Sequence, residues 1–431
     1  MLIVAVCFGG GGSAAGVANL VVQLAALAVL AFHRRALLEF FSQAPRAFAI
    51  VLVVTILLPL VQCIPLPPLV WQQLPGRNLA VQSLALVGHT NDWMPFSLNV
   101  RRTFIAFLSL MPPLAILILT WRANDSVFRT LLIVLVGSCI MEIILGTQQL
   151  AFGNRQFMLY AEAVGSQDLH GTFANRNTAG LFMNVALCAV IGLLWRPLHN
   201  PLHLMIGVAL GILFGLGLFL TQSRSSMTLV VVPAAMLFVY LWALRHALFA
   251  HRSRVIALAA GLGLVTATTC LLADNVKIQR SLSRFDTMED ARPAIWQDTQ
   301  LSIARFWPVG SGIGTFDEVF QLDESLENLS PGRAARAHNE YLEITLESGV
   351  MGPFLVGSWI IVMVIAAWRA VRKSTDRGPR VAASAVFMLL AFQSILDYPL
   401  RSQTLLCVAG LMLGILLSRT TADTKVEARK R

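Results

Sequence analysis

Apolar blocks of about 18 to 22 residues alternate along the chain with shorter polar stretches. A bilayer core about 30 Å thick takes about 20 apolar residues to cross as a helix. Lipid offers no partner to backbone N–H and C=O groups, so such blocks must be helices. Strands of a membrane barrel alternate in polarity residue by residue, and these blocks do not. The pattern predicts twelve spans, near 1–12 (a short one), 15–32, 47–64, 103–120, 127–148, 178–195, 202–220, 225–244, 254–272, 349–368, 381–396 and 402–418. The expected fold class is all-α, a polytopic transmembrane helical bundle of about twelve spans. The first block has no basic residue ahead of it and runs into Gly9-Gly10-Gly11-Gly12-Ser13, which is not the pattern of a cleavable signal peptide.

Composition agrees with this reading. Hydrophobic residues make up 56% and charged residues 13% of the chain, whereas a soluble domain carries about a quarter charged residues. Six cysteines (Cys7, Cys63, Cys139, Cys188, Cys270 and Cys407) lie in or beside apolar blocks with no CxxC pair. That argues against a disulfide framework.

Charge then sets the orientation. The loops 33–46, 121–126, 196–201, 245–253 and 369–380 and the tail 419–431, with Arg129 and Arg254 at span edges, hold 19 of the 33 Lys and Arg but 5 of the 23 Asp and Glu, a net of +14. The rest of the chain holds 14 basic and 18 acidic residues, a net of −4. Positive loops stay cytoplasmic, so the overall +10 is a topology signal rather than a nucleic-acid one. The other face receives three long segments, 65–102, 149–177 and 273–348, the last falling between spans 9 and 10. A bundle needs only short turns, so long segments on one face point to chemistry or binding there. The expected organisation is an N-terminal helical region over residues 1–150, a second helical region over residues 151–418 that contains the 273–348 loop, and a basic cytoplasmic tail over residues 419–431.

Candidate chemistry gathers on the same face. Five histidines (His33, His199, His203, His246 and His251) fall in or beside the cytoplasmic loops; His89, His170 and His338 do not. None is spaced as a metal pair and there is no HExxH, so neither a metal nor a cofactor is expected. His338 stands where a polar stretch meets a span, and can accept a proton near neutral pH or simply precede a helix cap. Arg224 sits in a very short turn between apolar blocks, a costly place unless it is paired, snorkels or meets an anion. Asn175-Arg176-Asn177 opens a span, offering donors and free helix N–H groups to a phosphate or sugar, or an ordinary cap. The 273–348 loop adds Arg280, Arg284 and Arg292 among charges that mostly read as a solvated face. Its Gly310-Ser311-Gly312-Ile313-Gly314 run reads as a tight turn, being neither a P-loop nor a Rossmann fingerprint. Glu142 and Asp397 can pair an arginine or tune a site.

These motifs in order, Gly171-Thr172-Phe173 with Asn175-Arg176-Asn177, Ser223-Arg224, Arg292 with Trp296, Gly310 to Phe316, and His338-Asn339-Glu340-Tyr341-Leu342, resemble the O-antigen ligase and O-antigen polymerase superfamily of bacterial inner-membrane glycosyltransferases. The resemblance covers about residues 140–415. Asp397-Tyr398-Pro399-Leu400-Arg401 and Ile64-Pro65-Leu66-Pro67-Pro68 look like a branch found with exopolysaccharide loci. The resemblance implies a GT-C-like, metal-independent enzyme facing the periplasm. Its donor would be an undecaprenyl-diphosphate-linked glycan, and its acceptor a hydroxyl of lipid A core sugars or of a growing polysaccharide. It implies that Arg224 and Arg292 hold the diphosphate, that His338 acts at the acceptor, and that Asn175, Arg176, Asn177, Arg280, Arg284, Asn339, Glu340 and Tyr341 contact substrate. The competing reading is a transporter or export subunit without catalysis. Transporters carry internal repeats and midplane ionisable groups; here no repeat stands out, and the charges gather at one face.

Overall fold

The computed structural model describes residues 1–12, 15–195, 201–249, 252–272, 275–283, 291–328, 334–374 and 376–418. The chain runs through α1 (Leu2–Phe8), α2 (Gly16–Phe32), α3 (Arg34–Gln43), α4 (Arg46–Gln62), β1 (Pro65–Leu66), α5 (Pro68–Trp71), α6 (Asn78–Leu86) and β2 (Met94–Pro95). Next come α7 (Val100–Ser109), α8 (Met111–Thr120), α9 (Asp125–Ala151), α10 (Arg176–Leu194), α11 (Pro201–Leu220), α12 (Arg224–Thr228), α13 (Val231–Phe249) and α14 (Arg252–Leu272). Short helices α15 (Val276–Ser283), α16 (Arg292–Phe306), α17 (Phe316–Phe320) and α18 (Glu340–Ser348) then lead into α19 (Met351–Lys373), α20 (Arg377–Leu396) and α21 (Gln403–Leu417).

A helix stands at each position where the apolar blocks predict one. Among the described residues, seven are long and apolar enough to cross a membrane, or eight if α2 and α3, bent by 78°, form one span. The figure of twelve therefore depends on shorter helices. α4 and α21 are apolar but have 17 and 15 residues. α1 has seven, about 10 Å of helix, and cannot cross a bilayer core by itself.

The centre of the bundle is α10, apolar on all sides and buried from Thr178 to Gly192 except at Leu187. Its main core joins it to α9, α20, α21 and α1. Small residues let these helices approach closely: a side chain on Gly192 would strike Ala382 and Gly378, and one on Gly410 would strike the Pro113 backbone of α8. A second core around Phe40, Phe48 and Trp121 packs α2, α3, α4 and α8. A third, small one (Phe306, Phe316, Phe320 and Leu346) holds α16 to α18 together. By contrast α19 exposes Ile361, Val364 and Trp368, as expected of a helix facing lipid.

Alternation of the spans brings 63–99, 152–175, 221–223, 275–283, 291–328, 334–350 and 397–402 to one end. Hydrogen bonds tie this end together: Leu98 N–H to Ser311 C=O, Leu169 N–H to Leu220 C=O, and Thr404 N–H to the Gly9 C=O. The glycine run is a tight turn, with Gly310, Gly312 and Gly314 all in the left-handed region (φ 89°, 111° and 90°). Gly312 packs against Ser97, where no Cβ fits, while Gln62 takes the Ile313 N–H at 2.8 Å and Arg102 pairs with Asp317 at 2.9 Å. The opposite end is closed by Arg129, whose guanidinium holds Asp376 through two bonds of 2.6 and 2.7 Å, and by Arg380 with Asp125.

Candidate functional site

Three helices begin at one pocket, and each begins with an arginine. Arg176 is the first residue of α10 behind the cap Asn175, Arg224 the first of α12 behind the cap Ser223, and Arg292 the first of α16. A helix start carries partial positive charge, so a cation there opposes the macrodipole. An anion bound there would offset all three placements, and helix starts also favour one. The pocket encloses about 220 Å³ and is lined by the three arginines, His338, Asn177, Gln222 and Ser225. All three arginines are half-buried, and Arg176 is steadied by Asp168 at 2.6 Å.

His338 faces them from a fourth helix start, one residue ahead of the α18 cap Asn339. Its backbone is in the left-handed region, φ 48°, a conformation uncommon for a residue other than glycine. Its Nδ1 lies 3.2 Å from Oδ1 of Asp397, and Asp397 is buried. The other oxygen, Oδ2, accepts from Asn175 Nδ2 at 3.1 Å. A carboxylate in this position makes Nδ1 the protonated nitrogen and leaves a lone pair on Nε2. The Tyr398 ring packs beside the imidazole at 5.0 Å.

Buried charges hold this turn in place. Arg336 bonds Glu343 at 2.5 Å, and Arg401 reaches Glu343 at 2.9 Å and Glu347 at 2.8 Å. Burial alone would raise the Glu343 carboxyl, but Arg401 and Arg336 beside it hold it below the usual range; burial wins at Glu347, which is raised. Glu340 accepts from Ser394 Oγ at 2.5 Å and from the Leu400 N–H at 2.8 Å, and burial pushes it up to about 7. Burial also raises the Tyr398 hydroxyl.

The structure therefore brings Arg224, Arg292, His338, Arg176 and Asn177 to one pocket. The other expected substrate contacts are engaged within the protein. Asn175 caps α10 and reaches Asp397. Asn339 caps α18, accepting from the N–H groups of Tyr341 and Leu342. Glu340 holds the 394–400 turn, and Tyr341 donates its hydroxyl to the Ala391 C=O at 2.8 Å. Asn177 both lines the pocket and accepts from Ser223 Oγ at 2.7 Å, which ties the starts of α10 and α12 together. Arg280 stands in α15, with its side chain outside what is described; Arg284 and the tail 419–431 lie outside the described residues. Glu142 accepts from the backbone N–H (2.6 Å) and the hydroxyl of Thr172, and so shapes the 171–175 turn rather than meeting an arginine. Asp397 carries a larger share of the site than its sequence context suggests: its link to His338 spans 59 residues, and no spacing rule points to it.

Residues 209–357 match the family model described as O-antigen ligase. That match supports the O-antigen ligase and polymerase superfamily. The superfamily match covers about a third of the chain and contains Arg224, Arg292 and His338; Arg176, Asn177 and Asp397 lie outside it. The match supports membrane glycosyl transfer of the ligase or polymerase type in general. No curated protein matches the chain.

Proposed function

We propose that the chain moves a glycan from a polyprenyl-diphosphate donor, such as an undecaprenyl-diphosphate glycan, to an acceptor hydroxyl at this pocket. The observation that carries the reading is the convergence of three arginine-headed helix starts opposite a histidine oriented by Asp397. The acceptor hydroxyl gives its proton to Nε2 of His338 while its oxygen attacks the anomeric carbon. The bond from that carbon to phosphate oxygen breaks, and the diphosphate leaves with the electron pair. Arg224, Arg292 and Arg176 meet the charge that builds on its oxygens. One displacement inverts the anomeric centre, and the reaction needs no metal. The +14 balance of the basic loops and tail favours a periplasmic site in an inner-membrane protein. The shorter helices fit a bundle of about twelve GT-C-like spans if neighbouring segments complete their crossing.

Purified protein supplied with an undecaprenyl-diphosphate glycan, with and without lipid A core, tests this. A ladder of products identifies a polymerase, and a single shift of the core a ligase. Glycan that crosses the membrane without a new covalent bond would overturn the reading in favour of a transporter. Retained stereochemistry at the new linkage would overturn the single displacement.

A further inference from the structure

We propose that the segment from β1 to β2 is a membrane-seated platform, whose partner is the acyl region of the lipid leaflet on the pocket's side of the bundle. Between Pro65 and Gly88 the one charged residue is Arg77, and it is buried with its guanidinium on the Phe96 C=O. Within α6 no residue is buried. Its Ala80, Val81 and Leu84 share one half-buried face, while Leu79 and Leu86 stand exposed on the opposite face with Gln82 and Ser83. Exposed leucines on a helix without a charged residue suit the edge of a leaflet, and nine residues make a marginal helix in water. Leu86 is 89% and Leu69 81% exposed.

The position of the segment names the occupant. β1 and β2 pair antiparallel, Pro65 opposite Pro95 and Leu66 opposite Met94, and so close the base of the segment. That base lies three residues beyond the end of α4 and five before the start of α7. α5 begins two residues after β1, within about 7 Å of reach, so α5 is tethered at the rim of α4 and α7. Trp93, 63% exposed, stands beside the base, where aromatic residues gather at membrane surfaces. In the turn that leads into β2, His89 and Asp92 pair at 2.6 Å in the open.

The platform is coupled to the pocket. Gly76 (φ 75°) lies against the Phe306 ring, where a Cβ would collide. Phe306 ends α16, whose first residue is Arg292. Seating the platform in the leaflet thus fixes the height of the helix that carries a pocket arginine.

The test places an environment-sensitive fluorescent amino acid singly at Leu69, Leu86 and His89 of the full chain in vesicles. The same residue at Ile361, exposed on α19, and at Glu327 serves as lipid and water reference. Signals from 69 and 86 are expected to be quenched by a doxyl phospholipid as strongly as at 361 and spared by iodide, with 89 behaving like 327. Quenching of 69 and 86 by iodide alone overturns the proposal. So does protection from both quenchers, which means a covering protein surface such as a second copy. The readout involves no glycan and is independent of the transfer reaction.

Discussion

Among single residues, His338 and Asp397 carry the most chemistry. Replacing Asp397 by Asn keeps the shape but changes the tautomer. Asn175 donates to Oδ2, so the new amide oxygen stays on that side and its NH2 group faces Nδ1. Nδ1 must then accept, and Nε2 carries the proton it should receive. Asp397→Asn is expected to cut the rate of transfer by about 10²- to 10⁴-fold while leaving the melting temperature close to that of the parent, measured side by side on purified protein. His338→Asn is the cleaner removal of the base, because asparagine tolerates the left-handed backbone at 338 better than alanine does. It is expected to abolish transfer in a protein that still inserts; transfer at the parent rate would reduce His338 to a turn residue. His338, Arg224 and Arg292 were legible because charge and imidazole beside apolar blocks stand out. Asp397 was legible only as a group able to pair an arginine or tune a site; its place beside His338 was not, since only the packing of α18 against α20 brings it to the ring.

Elements explain why the polar motifs divided as they did. Asn175 and Asn339 read equally as substrate donors or caps, and the helix starts claimed both. Removing the cap of α18 by Asn339→Ala is expected to cost about 1 kcal/mol and to slow transfer, because the capped turn carries His338; denaturant titration and initial rates measure the two effects. Glu340, in the same turn, gives a pH signature. Its carboxyl sits near 7 folded against an ordinary value of 4.5, so the folded state holds the proton more tightly than the unfolded one. Stability should therefore fall as pH rises through this interval and level off above it. Glu340→Gln is expected to remove that component, and its melting temperature should decline less than the parent's between about pH 5 and about pH 7.5. A parallel decline would show that the burial of Glu340 carries no such penalty. Helix positions were legible for a plain reason: lipid forces every apolar block to pair its own backbone. Their number was not, because short helices such as α1 and α21 need neighbours to complete what length alone does not.

For the whole molecule, the two ends have separate duties. Arg129 and Asp376 are both largely buried at the end remote from the pocket. Arg129→Ala deprives Asp376 of its guanidinium and is expected to lower stability by about 3 kcal/mol with transfer per folded molecule unchanged. A fall in turnover matching the fall in stability would tie the two ends together. The convergence of three arginine-headed helices has a consequence for what the molecule can discriminate. On the proposed function, the three arginines meet the diphosphate that every such donor shares rather than the cargo attached to it. Inorganic pyrophosphate should therefore compete with the donor while free sugars do not. Cells that change the sugars of their surface polymer could then keep this protein as it is.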